Sequence, residues 1–166
     1  TFTVVLDSEP TASVTVDVAS NDATEGLVTD PALGTLTFTT GNWDTPRTVT
    51  VTGQDDDIDD GAVAYSIVLD NVASTDGNYS VLDPADVSVT NDNDDTAGIT
   101  VSTISSNTSE SGATATFTVV LDSEPTANVT IDVASNDATE GLVTDPALGT
   151  LTFPTGDWDT PQTVTV

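Results

Sequence analysis

Apolar residues recur at every second position through most of this chain. Valine, isoleucine, leucine, phenylalanine and tyrosine alternate with threonine, serine and aspartate, and the spacing of an amphipathic helix is almost absent. Threonine suits the solvent side of a pleated strand because its branched Cβ favours an extended backbone. The alternation predicts half-buried strands at residues 2–6, 14–18, 36–38, 49–51, 63–69, 87–89 and 99–101.

A long internal repeat organises these strands. Residues 1–51 and 116–166 align without a gap at an offset of 115. They differ at five of 51 positions: Ser13 to Asn128, Val16 to Ile131, Thr39 to Pro154, Asn42 to Asp157 and Arg47 to Gln162. Such a period indicates tandem domains of about 115 residues, each with its own core. Short strands separated by frequent turns predict an all-β fold of tandem immunoglobulin-like antiparallel β-sandwiches, with a barrel as the less favoured alternative.

The repeat also predicts where the domains meet. The boundary falls between Asp95 and Thr96, where an acidic cluster is followed by a new strand. Residues 1–95 are interpreted as one repeat without its first strand, and residues 96–166 as the start of the next repeat without its last strands. We therefore expect the chain to be an internal segment of a longer protein.

The charge of the chain excludes several classes of function. There are 28 acidic residues against one cation, Arg47, which gives a formal net charge of −27. Binding to nucleic acid or to an anionic membrane is driven by lysine and arginine, so neither is expected. Histidine, cysteine and lysine are absent, which removes the common catalytic bases and nucleophiles. Paired carboxylates can hydrolyse glycosides, but these lie in turns without an apolar cleft, so we expect no enzyme activity.

The cellular location is inferred from features that are absent from the sequence. No apolar run approaches the length of a membrane span, and no basic leader precedes an apolar stretch, so this segment is expected to contain neither a membrane span nor a signal peptide. The absence of cysteine is compatible with an extracellular bacterial protein that avoids redox chemistry. We expect an extracellular or cell-surface location.

Carboxylates are concentrated in three places. One group follows the strand at 49–51, another follows the strand at 87–89, and the third is a Ser-Asn-Asp-Ala-Thr-Glu loop that occurs twice. Such clusters need a counter-charge, and a hard divalent cation with oxygen ligands, Ca²⁺ above all, is the natural one. The alternative is a solvated acidic surface that binds ions diffusely. An EF-hand is rejected because Asp60 and Ser66 stand where its glycine and glutamate are required. The groups contain Asp55, Asp56, Asp57, Asp59 and Asp60; Asn91, Asp92, Asn93, Asp94 and Asp95; Asp22 with Glu25, and Asp137 with Glu140.

Several segments, in their order along the repeat, resemble the Calx-beta family, immunoglobulin-like modules found in sodium–calcium exchangers and in large bacterial surface proteins. The resemblance lies in the Glu-Gly-type turn at 109–112, the strand and Asp-containing loop at 16–24, and the Gly-Thr-Leu-Thr-Phe strand at 34–38. It continues in the Thr-Val strand at 48–51 with the acidic residues 55–57, and in the final strand and acidic cluster at 87–95. The Trp-Asp-Thr-Pro sequence at 43–46 is similar to repeats of long bacterial adhesins.

The resemblance implies calcium at the acidic end of each repeat, where it adjoins the next repeat. The ligands that it implies are Asp22, Asp55, Asp56, Asp60, Asp92, Asp94 and Asp95, with Glu110 in the equivalent place of the following unit. Asp57 and Asp137 join the candidate set through the acidic clusters themselves. The cofactor expected is therefore Ca²⁺.

These observations predict a mechanical function. The chain is interpreted as a structural repeat of an extracellular bacterial adhesin shaft or fibre, stiffened by calcium, whose partners are neighbouring repeats. The alternatives are a filament that self-assembles by strand exchange, and a module that binds a carbohydrate or a cell-surface protein. Trp43 and Trp158 are expected to pack against the sandwich rather than to stack on a sugar. Sequons at Asn78, Asn107 and Asn128 are candidate glycosylation sites of lower weight.

Overall fold

A computed structural model describes all 166 residues, and every regular element in it is a β-strand. The all-β prediction is confirmed, and a strand lies at each of the seven predicted places. The strands are β1 Phe2–Val4, β2 Val14–Ser20, β3 Gly26–Asp30, β4 Thr35–Phe38, β5 Arg47–Gly53, β6 Val63–Leu69, β7 Ala73–Ser74, β8 Val87–Asn91, β9 Ile99–Val101, β10 Thr116–Leu121, β11 Val129–Asp132, β12 Thr150–Phe153 and β13 Gln162–Thr165.

Contacts divide the chain into two compact units. The first unit consists of Thr1–Asp56 and Gly61–Asn93, and the second of Asp57–Asp60 and Asp94–Val166. The boundary at residues 95 and 96, which rests on the period of the sequence, stays a prediction.

Two antiparallel sheets build the first unit. One has the strand order β1-β5-β3, and the other has the order β4-β2-β6-β8, with β7 paired to β2. Their inner faces share one core because the alternating apolar residues of both sheets point towards each other. The core contains Val14, Val16, Val18, Leu36, Phe38, Val49, Tyr65, Ile67, Leu69, Val72 and Tyr79.

The second unit also has two groups of strands. A sheet with the order β13-β10-β9 accompanies the antiparallel pair β11-β12. Its buried residues are Val119, Leu121, Leu151, Phe153 and Val164, and they form a smaller cluster than the core of the first unit. The side chain of Trp158 packs against this cluster half-buried, in agreement with the packing function predicted for it.

Strand β3 and the two-residue strand β7 are the elements of the first unit that the alternation did not predict. The case of β3 has a clear cause. Leu27 and Val28 are adjacent apolar residues, and Gly26 and Asp30 on either side are typical of turns. The strand forms because it pairs with β5 from Gly26 to Asp30, with an irregularity in register between Val28 and Asp30. A bulge of this kind breaks the period of two, which explains why the sequence pattern missed the strand.

The turn between β3 and β4 requires glycine. Gly34 has φ +67°, a left-handed conformation that other residues seldom adopt. Its N–H donates to the Pro31 carbonyl at 2.8 Å, and its own carbonyl accepts from the Val18 N–H at 2.6 Å. Gly149 repeats the same φ in the second unit, so this turn is set by local sequence in both.

Candidate metal centre

Five strand ends meet at one end of the first unit. Strand β2 ends at Ser20 and pairs there with β6, whose first residue, Val63, is opposite Asn91 at the end of β8. Gly26 at the start of β3 is opposite Gly53 at the end of β5. The loops that leave these strands therefore gather at this end. We call it the acidic pole and define it by Glu25, Gln54, Asp56, Tyr65 and Asn91.

Hydrogen bonds fix the centre of the acidic pole. The Asn91 side-chain amide donates to the Gln54 carbonyl at 2.7 Å and to the Glu25 carboxylate at 3.4 Å. The Gln54 N–H donates to the Glu25 carbonyl at 2.9 Å. Glu25 is thus held through its backbone and its side chain, and it is half-buried.

Two glycines give the acidic pole its shape. A Cβ at Gly26 would lie 2.0 Å from the Tyr65 hydroxyl, and a Cβ at Gly53 would lie 2.6 Å from the Asn91 side-chain oxygen. Neither distance is sterically possible, so only glycine lets the tyrosine and the asparagine occupy these positions. Burial raises the pKa of Tyr65, and the negative charge of Glu25 raises it further.

Carboxylates approach one another within each unit. In the first unit, oxygens of Glu25 and Asp56 lie within 4.8 Å, and in the second unit the same holds for the neighbouring residues Asp94 and Asp95. Ca²⁺ takes its oxygen ligands at 2.3–2.6 Å, so two carboxylates at this spacing are within reach of one ion. Acidic side chains within metal-binding distance are thus a feature of both units.

The donors at the acidic pole are oxygens only. The carboxylate oxygens of Glu25 and Asp56 lie close together, and the chain contains no histidine or cysteine. Zinc and copper prefer nitrogen and sulfur ligands, whereas calcium takes carboxylates, amide carbonyls and water. The residues present therefore fit a hard cation such as Ca²⁺.

Asp22 and Asp137 are engaged in their own loops. The Asp22 carboxylate accepts from the Thr24 hydroxyl at 2.6 Å and from the Thr24 N–H at 3.1 Å, and these two bonds lower its pKa. Asp137 makes the same bonds with Thr139, at 2.6 and 3.0 Å, with the same lowering of its pKa. Neither residue belongs to a group of closely spaced carboxylates.

The remaining predicted ligands are distributed between the units. Asp55 and Asp92 are exposed in the first unit, and Glu110 is exposed in a turn of the second. The backbone of Asp57 accepts from the Glu124 N–H at 2.6 Å, and the backbone N–H of Asp60 donates to the Ile58 carbonyl at 2.9 Å, both within the second unit. The asparagines of the sequons, Asn78, Asn107 and Asn128, are all exposed.

Glu25 is the residue that sequence reasoning left out of the ligand set. The sequence places it in an acidic loop, but the groups that hold it, the Asn91 side chain and the Gln54 backbone N–H, are 66 and 29 positions away in the sequence. The signal that was present is its position directly before β3, at the same end of the unit as the acidic residues that follow β5.

Searches for similar proteins return no match among family models, curated proteins or solved structures. The Calx-beta resemblance therefore stays a prediction that rests on the motifs of this sequence. The structure contains no helix long and apolar enough to cross a bilayer.

Proposed function

We propose that this chain is a structural segment of an extracellular fibre or adhesin shaft, and that Ca²⁺ binds at the acidic pole of the first unit and stiffens it. The observation that carries the proposal is the pair Glu25 and Asp56, whose carboxylate oxygens lie within 4.8 Å. Glu25 is held in place by Asn91 and by the backbone of Gln54. The proposed function is mechanical and not catalytic.

Charge supports a cation at this place. Glu25 and Asp56 repel each other, and the only cationic side chain of the chain, Arg47, stands at the opposite end of β5. Six residues of extended strand separate it from Gly53, a distance of about 20 Å. That exceeds the Debye length of about 8 Å at physiological ionic strength, so Arg47 does not neutralise the acidic pole. A divalent cation would do so.

Binding would be converted into rigidity because the ligands come from different strand connections. Glu25 precedes β3, Asp56 follows β5, and Asn91 ends β8. An ion held between the Glu25 and Asp56 carboxylates, the first of which accepts from the Asn91 amide, ties these connections together and binds the folded state only, so it raises the free energy of unfolding by linkage. Extracellular calcium modules typically work at dissociation constants of about 10⁻⁴ to 10⁻³ M, which suits a few partly exposed carboxylates.

Thermal unfolding in EDTA and in increasing CaCl₂, with MgCl₂ as the comparison, tests the proposal. We expect the midpoint of the first unit to rise by about 10 °C when the calcium concentration is 100 times the dissociation constant. Magnesium should give a much smaller shift because it demands octahedral geometry and keeps its water.

The repeat provides a matched control variant. Glu25→Gln and Asp56→Asn should each remove most of the calcium-dependent shift. Glu140→Gln changes the same loop in the second unit, where Glu140 is exposed, and should leave the shift intact. Equal shifts with calcium and magnesium, or full retention of the shift in Glu25→Gln, would show that the carboxylates are only a solvated surface.

A further inference from the structure

A groove of about 660 Å³ lies where β3, β4 and the start of β5 meet in the first unit. Strand β3 is an edge strand of one sheet and β4 is an edge strand of the other, so the groove lies at the opposite edges from β1 and β8. All ten lining residues belong to the first unit. Seven of them carry a hydroxyl, an amide or a charge, which suits a polar ligand.

Arg47, the only cationic side chain of the chain, lines this groove. Its guanidinium carbon lies 6.0 Å from the centroid of the Phe38 ring, within the range of a cation–π contact that holds the side chain against the core. Its Nε atom is buried and has no hydrogen-bond partner. Buried donors are normally paired, so the fold does not use the full hydrogen-bonding capacity of this guanidinium.

The turn between β4 and β5 adds neutral donors to the groove. The Asn42 side-chain carbonyl accepts from the Thr39 N–H at 2.7 Å. An amide whose oxygen is engaged in this way offers its two N–H donors to a ligand. The Thr39 hydroxyl accepts from the Gly41 N–H at 3.4 Å and keeps its own hydrogen as a donor. The groove therefore combines one guanidinium with uncharged donors.

The two copies of the repeat differ most at this groove. Residues 1–51 and 116–166 differ at five positions, and three of these, Thr39, Asn42 and Arg47, line the groove. Only ten of the 51 aligned residues line it, so an even spread of differences would place about one there. The differences are therefore concentrated at the groove, as expected when one copy has a binding function that the other lacks. The counterparts in the second unit are Pro154, Asp157 and Gln162.

Each of the three changes removes a donor in the second unit. The Gln162 side-chain amide donates to the Thr152 carbonyl at 2.6 Å and is satisfied within the unit. Asp157 accepts from the Thr160 hydroxyl and is negatively charged where Asn42 is neutral. Pro154 has no hydroxyl. The second copy has thus lost the positive charge and gained a negative one, so only the groove of the first unit suits an anionic group.

We propose that the groove beside Arg47 binds an acidic saccharide, in which a carboxylate accompanies several hydroxyls. The carboxylate accepts from the Arg47 guanidinium, whose planar fork matches its two oxygens. The hydroxyls bond to the side chains of Thr39, Asn42 and Asp30. This site is separate from the proposed calcium site, because Arg47 and Gly53 stand at opposite ends of β5.

The charges of the chain favour this ligand over other anions. The net charge of −27 repels a ligand with many negative groups, and the groove has one guanidinium to offset a single carboxylate. Asp30 lines the same groove and would repel a second carboxylate, whereas it accepts hydrogen bonds from sugar hydroxyls. The threonines and Asn42 provide the remaining partners that a ligand with many hydroxyls needs.

An NMR titration of the ¹⁵N-labelled 166-residue chain with cellobiouronate, a disaccharide with one carboxylate, tests the proposal. The buffer contains EDTA so that calcium cannot bridge the sugar to the acidic pole. We expect saturable shifts at the amides of Thr39, Asn42 and Arg47, with one site per chain. Cellobiose, which differs only by having no carboxylate, should bind at least tenfold more weakly.

A peptide control distinguishes the sugar from an acidic protein segment. A blocked tripeptide with one glutamate carries the carboxylate but no hydroxyl, and it should also bind at least tenfold more weakly than cellobiouronate. Equal or tighter binding of this tripeptide would assign the groove to an acidic peptide and overturn the proposal. Equal affinity for cellobiose, or no saturable shift with cellobiouronate, would overturn it as well.

The second copy supplies variants that are compatible with the fold. Arg47→Gln and Asn42→Asp each introduce the residue that the second unit has at that position, and each should weaken binding of cellobiouronate at least tenfold. Ser13→Asn, an exposed difference between the copies outside the groove, should leave the affinity unchanged. Full affinity in Arg47→Gln would overturn the proposal.

The reciprocal change tests whether these three positions suffice. A chain with Pro154→Thr, Asp157→Asn and Gln162→Arg should bind cellobiouronate at a second site, seen as saturable shifts at residues 154–163. The first unit of the same chain is the internal standard for affinity. A folded triple variant without a second site would overturn the claim that these residues make the groove selective.

Discussion

Strand β2 of the first unit and strand β11 of the second have almost the same sequence but differ in length and burial. The two share every residue from 14 to 20 except Val16, yet β2 is a seven-residue strand with three buried valines and β11 is a four-residue strand with half-buried side chains. The difference lies in the neighbouring strands. Strand β2 pairs with β4, β6 and β7, whereas β11 pairs with β12 alone. Strand length and burial here depend on tertiary pairing and not on local propensity.

Other parts of the repeat are the same in both units. Phe38 and Phe153 are both completely buried, and Gly34 and Gly149 share the same left-handed φ. These positions depend on a pairing that both units possess, between β2 and β4 in the first and between β11 and β12 in the second. The comparison separates the features that this one strand pair fixes from the features that need a further strand.

The largest effect is expected where the two units are alike. Phe38→Ala and Phe153→Ala should each destabilise their own unit by about 3–5 kcal/mol because both remove a fully buried ring and leave a cavity. Amide hydrogen exchange measured unit by unit as a function of denaturant would give both values. A cost for Phe153→Ala below about 1 kcal/mol would contradict the claim that the core of this strand pair is equivalent in the two units.

A smaller effect should distinguish the units. Val14→Ala should cost the first unit about 2–3 kcal/mol, because Val14 is fully buried against its neighbours. The same change at Val129, which is half-buried, should cost the second unit about 1 kcal/mol. Equal costs, measured by the same exchange experiment, would mean that the extra strands contribute little to burial.

The smallest effect concerns acid stability and is confined to the first unit. Hydrogen bonds from Thr11, then from Asn78, lower the pKa of Asp76 below its ordinary value of 3.8. The stabilisation by this carboxylate is therefore complete above pH 3.8 and is lost as the pH falls through the lower pKa of the folded state. Asp76→Asn should lower the melting temperature of the first unit at pH 7, and the gap should close below pH 3.8.

Unfolding curves of the wild-type chain and the Asp76→Asn variant between pH 2 and 7 check this dependence. The second unit is the internal control because the hydrogen bonds of Asp76 lie within the first unit. A gap between the two chains that stays constant down to pH 2 would contradict the lowered pKa.

The period of two predicted the strands because both sheets have one buried and one solvated face, as in Val14, Val16 and Val18 of β2. It missed β3 because the bulge between Val28 and Asp30 breaks the alternation. It could not reveal that identical residues differ in burial between the units, since that difference arises from strands distant in sequence.

The acidic pole was predictable in part. The acidic residues that follow β5 and β8 were recognised as candidates because runs of carboxylates need a counter-charge. The importance of Glu25 was not predictable, since its position depends on contacts with Asn91 and Gln54 across the sheets. Asp22 has the stronger sequence signature, yet its carboxylate bonds to Thr24 in its own loop.

Calcium binding at the acidic pole of the first unit is the central claim, and an NMR titration of the ¹⁵N-labelled chain with CaCl₂ tests it most directly. The claim predicts saturable shifts of the amides of Glu25, Gln54, Asp56 and Asn91, with no comparable change at Glu140. Shifts that grow linearly over all acidic residues, without saturation and equally with MgCl₂, would contradict it.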